Sequence, residues 1–143
     1  MTKCYSLAII IVAYSGEDLL DRCLASIYRY NDLGDRLEVV VVDNNPGEEL
    51  SYSELRSRYP SALFLKNQRN GFGRGNNLGA AATTAPFLLF LNPDTELIES
   101  IGKFTEDTFR ANQRLGLFGV QLVYPDGGFN SSYELRDHSG FFL

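Results

Sequence analysis

The sequence predicts an α/β fold: a doubly wound, mostly parallel sheet that ends in a C-terminal β-hairpin. Three observations carry that expectation. Four short runs, at 6–13, 37–42, 62–66 and 87–91, are apolar and largely rich in β-branched or aromatic residues, as strands covered on both faces are. Helical patterns lie between them, so the order reads strand, helix, strand, helix, strand, helix, strand. Each run is also followed at once by turn residues and polar side chains, which a parallel sheet would gather at one edge.

The first run, SLAIIIVA, is broken by Tyr14-Ser15-Gly16. Ser15 with Asp18 three residues later resembles a capping box. Leu19, Leu20, Cys23, Leu24, Ile27 and Tyr28 then form one apolar stripe at helical spacing, and residues 31–34 end that helix. LEVVVV at 37–42 is the second strand and runs into Asp43-Asn44-Asn45-Pro46-Gly47, a loop of turn residues. A weaker helix is expected over 49–58 and a short third strand over 62–66. A glycine-rich loop at 70–75 precedes a small-residue helix at 76–84. FLLFL at 87–91 reads as a fourth buried strand, closed by Asn92-Pro93-Asp94. Residues 98–111 form the last helix, with Ile101, Phe104, Thr108 and Phe109 on one face. The rhythm then changes: 117–124, the turn Pro125-Asp126-Gly127-Gly128, and 129–133 read as a hairpin.

A chain of 143 residues suits a single domain over 1–143. Its formal net charge of -5 argues against non-specific nucleic-acid binding, which needs a basic face. A nucleotide ligand is still allowed, because backbone amides and a metal can handle phosphate. The two cysteines, Cys4 and Cys23, are read as buried free thiols of a cytoplasmic protein. Lys3 and the apolar run after it faintly resemble a signal peptide, but the run is read as the first strand. No stretch approaches the roughly 20 apolar residues of a membrane-spanning helix. The apolar ending Gly140-Phe141-Phe142-Leu143 is read as a chain that stops short of a further part.

The candidate chemistry sits where the strands end. Asp43 closes a valine-rich run, where a carboxylate can accept hydrogen bonds from a base or a ribose; the competing reading is a turn aspartate. Asn92-Pro93-Asp94-Thr95-Glu96 carries acids two apart on a loop. Hard cations such as magnesium or manganese take one or two carboxylates together with substrate phosphates. Asp94 is therefore read as a metal ligand, and Glu96 as a residue complementing the dipole of the next helix. The loop Gly71-Phe72-Gly73-Arg74-Gly75-Asn76 fails the spacing of a dinucleotide fingerprint and follows the third strand rather than the first. It can present amides to a ligand, and close helix packing accounts for some of its glycines. His138, the single histidine, is read as a surface residue, and Arg136 beside Asp137 either reaches an anionic substrate or forms an exposed ion pair.

Five segments taken together resemble the N-terminal, nucleotide-sugar-binding part of glycosyltransferase family 2, with its GT-A fold. They are IIIVAYSGEDLLDRCLASI, VVVVDNN, NQRNGFGRGNNLGAA, FLLFLNPDTEL and GVQLVYPDGGFNSS. The bacterial rhamnosyltransferase-like branch of polysaccharide assembly is the most similar. The resemblance implies a thymidine- or uridine-diphosphate sugar donor and a saccharide or lipid-linked acceptor. Ala13 and Tyr14 match the first nucleotide-contacting segment and Asp43 the base-binding aspartate. Asn70, Gly71 and Asn76 match the donor loop, with Asn92 added as a donor-binding candidate. Asp94 matches the last acid of the metal motif, while Asn92 and Pro93 stand where other members carry acids. The implied reaction inverts the anomeric carbon, assisted by a magnesium or manganese ion. The family's base comes from an acidic motif beyond the hairpin, and Glu134 and Asp137 do not match it, so no catalytic base is assigned. The implied location is the cytoplasm, peripheral at the inner membrane face for a full-length enzyme.

Three other classes are weighed. A sugar nucleotidyltransferase carries a basic, glycine-rich phosphate loop after its first strand, where this chain has Tyr14-Ser15-Gly16-Glu17-Asp18. A non-catalytic nucleotide-binding module would need no base. A dehydrogenase is disfavoured by the position of the glycine loop.

Overall fold

The computed structural model describes residues 4–47, 49–68 and 71–130. The chain divides into two compact units, Met1–Ala111 and Asn112–Leu143. The first holds β1 (Leu7–Ala13), α1 (Glu17–Arg29), β2 (Leu37–Asp43), α2 (Ser53–Arg58), β3 (Leu63–Lys66), α3 (Phe72–Ala81), β4 (Phe87–Leu91) and α4 (Gly102–Ala111). Its four strands are parallel and lie in the order β3-β2-β1-β4. This is the predicted α/β architecture with its parallel sheet. The second unit contains β5 (Leu122–Val123) and β6 (Phe129–Asn130), an antiparallel pair. The predicted hairpin is therefore present, although residues 131–133, part of its expected second strand, lie outside the described residues.

β1 sits at the centre because every one of its residues is buried. Alternation of side chains sends Ile9 and Ile11 to one face and Ile10 and Val12 to the other. The first face packs on Leu20, Cys23, Leu24 and Ile27 of α1 and on Leu55 of α2. The second meets Val40 and Val42, covered by Leu78 and Ala80 of α3. Burying each such aliphatic side chain contributes about 1.5–3 kcal/mol, so β1 and β2 hold the unit together.

Several local expectations are corrected. Helix α1 begins at Glu17 behind Gly16, which takes a left-handed conformation, and no side chain caps it. Ser15 is itself left-handed at φ 61°, so the capping box is absent. Leu19 is exposed, and the buried stripe consists of Leu20, Cys23, Leu24, Ser26 and Ile27. Helix α2 is confined to Ser53–Arg58, the later part of its expected span. Helix α3 starts at Phe72, so most of the expected glycine loop is its first turns.

Strand β4 is not buried on both faces. Phe87, Leu89 and Leu91 pack on the α1-side core, while Leu88 and Phe90 stay exposed. Helix α4 starts four residues later than expected because its cap comes from far away in sequence. Asp32 accepts from the amides of Gly102 and Lys103, both at 3.1 Å. Phe109 stacks on Phe87 with ring centroids 4.7 Å apart, but Phe104 points outward.

The two thiols differ. Cys4 is exposed, against expectation, and Cys23 is buried. Burial, followed by the nearby charges of Asp94 and Glu96, pushes the Cys23 thiol up to about 12. A thiol–disulfide reagent at neutral pH is therefore expected to titrate one thiol in the native protein and a second only after denaturation. Rapid native titration of both would contradict this packing.

Candidate functional site

The sheet order places a topological switch at β1: the chain leaves it toward β2 on one side, and β4 returns on the other. Beyond the carboxyl ends of the strands at such a switch is the crevice where open α/β sheets bind ligands. Ala13 ends β1 fully buried and pairs with Asp43 at the end of β2. Lys66, the last residue of β3, pairs in turn with Asp43. Tyr14, Ser15 and Gly16 follow Ala13 and are exposed.

Asp43 has a relative exposure of 0 %. One carboxylate oxygen accepts from the backbone N–H and the side-chain Nδ2 of Asn45, both at 2.9 Å. The other accepts from the Ser51 N–H at 2.7 Å and the Lys66 ammonium at 3.2 Å. Burial pushes the carboxyl pKa up, but the hydrogen bonds from Ser51, Asn45 and Lys66 together outweigh it and hold the group below the ordinary carboxylate range. Lys66 also donates to the Asn45 carbonyl at 2.9 Å. Asn45 continues outward: its Oδ1 accepts from the Ser15 N–H at 2.9 Å, and its Nδ2 donates to the Tyr52 hydroxyl at 2.8 Å.

A second polar link lies beside the first. Asn67 Nδ2 donates to Asn44 Oδ1 at 2.7 Å and to the Gly71 carbonyl at 3.4 Å. This ties the entrance of α3 to the end of β2. Gly71 has φ 120°, a value side chains rarely allow. Asn76 is half-buried on the second turn of α3. Asn70 lies outside the described residues, as do Arg136, Asp137 and His138.

On the other side of β1, residues 92–97 are fastened to α1. The Ser26 hydroxyl donates to the Cys23 carbonyl at 2.7 Å and accepts from the Leu97 N–H at 2.9 Å. Asn92 and Asp94 are exposed on this loop. Asp94 does not cap α4, because that helix begins at Gly102 and the Gly102 amide donates to Asp32. Glu96 does not face the helix dipole either; it forms an exposed ion pair with Arg22 at 3.4 Å. Among the described residues no group of three or more His, Cys, Asp or Glu could hold a metal. Asp94 is an exposed carboxylate on the loop after β4, two residues from Glu96.

The fold thus brings Ala13, Tyr14, Asp43, Gly71, Asn92 and Asp94 to the ends of neighbouring strands in one unit. Sequence reasoning missed Lys66, Ser51 and Tyr52. A signal for Lys66 existed: it is the one charge in β3, at the end of a run parallel to the one that ends on Asp43.

The sequence profile of Glycosyl transferase family 2 matches residues 8–124. The chain belongs to glycosyl transferase family 2. Solved structures with the GT-A fold resemble this member. The fragment 1–349 of Staphylococcus aureus TarS, in complex with UDP, superposes with a TM-score of 0.66 at 18% identity, over 80% of this chain and 38% of that one. A mannosyltransferase from Pyrobaculum calidifontis, in complex with GDP-Man and Mn2+, gives a TM-score of 0.59 at 22% identity, over 70% of this chain and 30% of that one. The family 2 chain thus spans well under half the length of these relatives. No curated protein sequence matches it. No helix among the described residues is long and apolar enough to cross a membrane.

Proposed function

We propose that the strand-end edge of the Met1–Ala111 unit binds the nucleoside diphosphate of a sugar donor, and that the whole protein transfers that sugar with inversion to a saccharide or lipid-linked acceptor. The observation that carries this reading is the meeting, at one topological switch, of the Tyr14–Gly16 segment, the Asp43 network and the exposed Asp94 carboxylate. Ala13 and Tyr14, with the network built on Asp43, form the nucleoside end. Gly71, Asn76 and Asn92 line the donor's path, and Asn70 is assigned by resemblance alone.

Asp94 fits a hard divalent cation. It is exposed, it does not cap α4, and such ions commonly take one carboxylate with water and phosphate oxygens making up the rest. A magnesium or manganese ion held there would neutralise the charge that develops on the diphosphate leaving group. The loop carrying Asp94 is tied to α1 at Asn92 and at Leu97, and the exposed Tyr14 ring offers a flat apolar surface to a base. The acceptor hydroxyl requires a carboxylate base, for which no described residue is proposed.

Calorimetric titration with uridine and thymidine diphosphates, with and without manganese, tests this. Thymidine-diphosphate rhamnose is the first sugar donor to try, given the branch the motifs resemble. Binding should require the metal, and Asp94→Ala should weaken it by at least about tenfold, the loss of one charge-assisted contact. Absence of binding to every diphosphate in both conditions would reject the donor-site reading. Metal-dependent binding without sugar transfer by the full-length protein would favour a non-catalytic nucleotide-binding module.

A further inference from the structure

We propose that Asp43 serves the donor site as a positioning residue with Lys66 as its partner, reaching a bound nucleotide through Asn45 and Ser15 and not by touching the base. The proposal rests on reading this sheet edge as the donor site.

An ionised carboxylate has about four acceptor positions. Asp43 has four donors within 2.7–3.2 Å: the Asn45 N–H, Asn45 Nδ2, the Ser51 N–H and Lys66 Nζ. It has no exposed surface. A base N–H could reach it only by displacing one of those donors, and the displaced group would be left buried without its partner. Lys66 makes the longest of the four bonds, yet its side chain is only 10% exposed. Removing its carboxylate partner would strand a buried ammonium. The charge pair is therefore closed to a ligand.

What the pair holds does face outward. The Asn45 amide bonds the two residues that, among the described ones, are left-handed without being glycine: Ser15 and Tyr52, each at φ 61°. The Tyr52 hydroxyl also donates to the Ser15 carbonyl at 3.4 Å. Side-chain-bearing residues occupy that backbone region only when their surroundings enforce it. Asp43 orients Asn45, Lys66 fixes both Asp43 and the Asn45 carbonyl, and Asn45 fixes Ser15. Ser15 is exposed directly beyond β1, between Tyr14 and the start of α1. The loops after β1 and β2 and the end of β3 thereby become one frame.

The test compares wild type, Asp43→Asn, Lys66→Met and Lys66→Arg in two measurements. The first is hydrogen–deuterium exchange of the peptides covering 14–16 and 44–52. The second is titration with uridine, thymidine, cytidine and guanosine diphosphates in manganese. Asp43→Asn and Lys66→Met should speed exchange at Ser15. They should also weaken all four diphosphates by a similar factor, roughly tenfold, with the order among bases unchanged. Lys66→Arg, which keeps the charge, should restore most of both. A changed order among bases in Asp43→Asn would mean that the carboxylate reads the base, and would overturn the proposal while keeping the donor site. Unchanged exchange at 14–16 in both Asp43→Asn and Lys66→Met would overturn it as well. If wild type binds no diphosphate, the donor-site reading falls, and the exchange measurement still decides whether Asp43 and Lys66 hold Ser15.

Discussion

Asp43→Ala is expected to lower the unfolding free energy by about 3–5 kcal/mol, the usual result of removing one partner from a buried ion pair. The carboxylate itself is replaceable; the loss comes from what it leaves behind. Lys66, 10% exposed, would retain, among the described residues, the Asn45 carbonyl as its acceptor. The Ser51 and Asn45 amides would lose theirs. Asp43→Ala with Lys66→Met removes the stranded ammonium as well, so the double variant should recover part of the loss. Urea denaturation of the single and double variants measures this, and a loss below about 1 kcal/mol would show that the network relaxes or that water enters.

The same carboxylate sets a pH dependence. Its pKa in the folded chain lies below the ordinary value despite burial, because Ser51, Asn45 and Lys66 favour the ionised form. The folded state thus binds this proton less readily than the unfolded state does. The stability Asp43 contributes is complete above the unfolded pKa, near 4, and disappears as pH falls through the folded value. Stability measured across that acid range should fall less steeply in Asp43→Asn than in wild type.

Asp43 also shows where sequence reasoning stops. That it matters follows from its place after four valine-rich positions, because periodicity and parallel pairing put strand ends side by side. Its environment does not follow, because Ser51 and Lys66 are 8 and 23 positions away, and only the folded loop brings their donors together. The same limit explains α4. Apolar spacing suggests a start near 98, but the cap is Asp32, some 70 positions earlier. Strand β4 departs from expectation for a related reason. A continuous apolar run announces burial on both faces, yet Leu88 and Phe90 remain exposed on the face opposite α1. What the local pattern does carry is the order of the elements, the direction of the strands and the edge on which polar residues gather.

Gly79→Val is expected to destabilise the chain by at least about 3 kcal/mol, the upper part of the usual range for overpacking. A Cβ at this position would stand 2.5 Å from Ile10 Cγ2 and 3.3 Å from Val42 Cγ2. Neither neighbour can recede, because Ile10 and Val42 are fully buried on the two central strands, and α1 fills the space behind the sheet. Helix α3 must therefore lift. Gly75 is just as confined, since its Cβ would meet Val12 Cγ1 at 2.8 Å, whereas a Cβ on Gly73 would meet nothing within 4 Å. Gly73→Ala should accordingly act in the opposite direction, stabilising by up to about 1 kcal/mol through helix propensity alone. If all the glycines of α3 served a nucleotide loop, both substitutions would spare stability and only binding would suffer. Opposite signs on one helix, read by urea denaturation, would separate packing glycines from an open one. Because Gly71 leads into α3 and Asn76 lies on its second turn, lifting the helix in Gly79→Val should also weaken diphosphate binding, and Gly73→Ala tests whether open backbone near the helix start contributes to binding on its own.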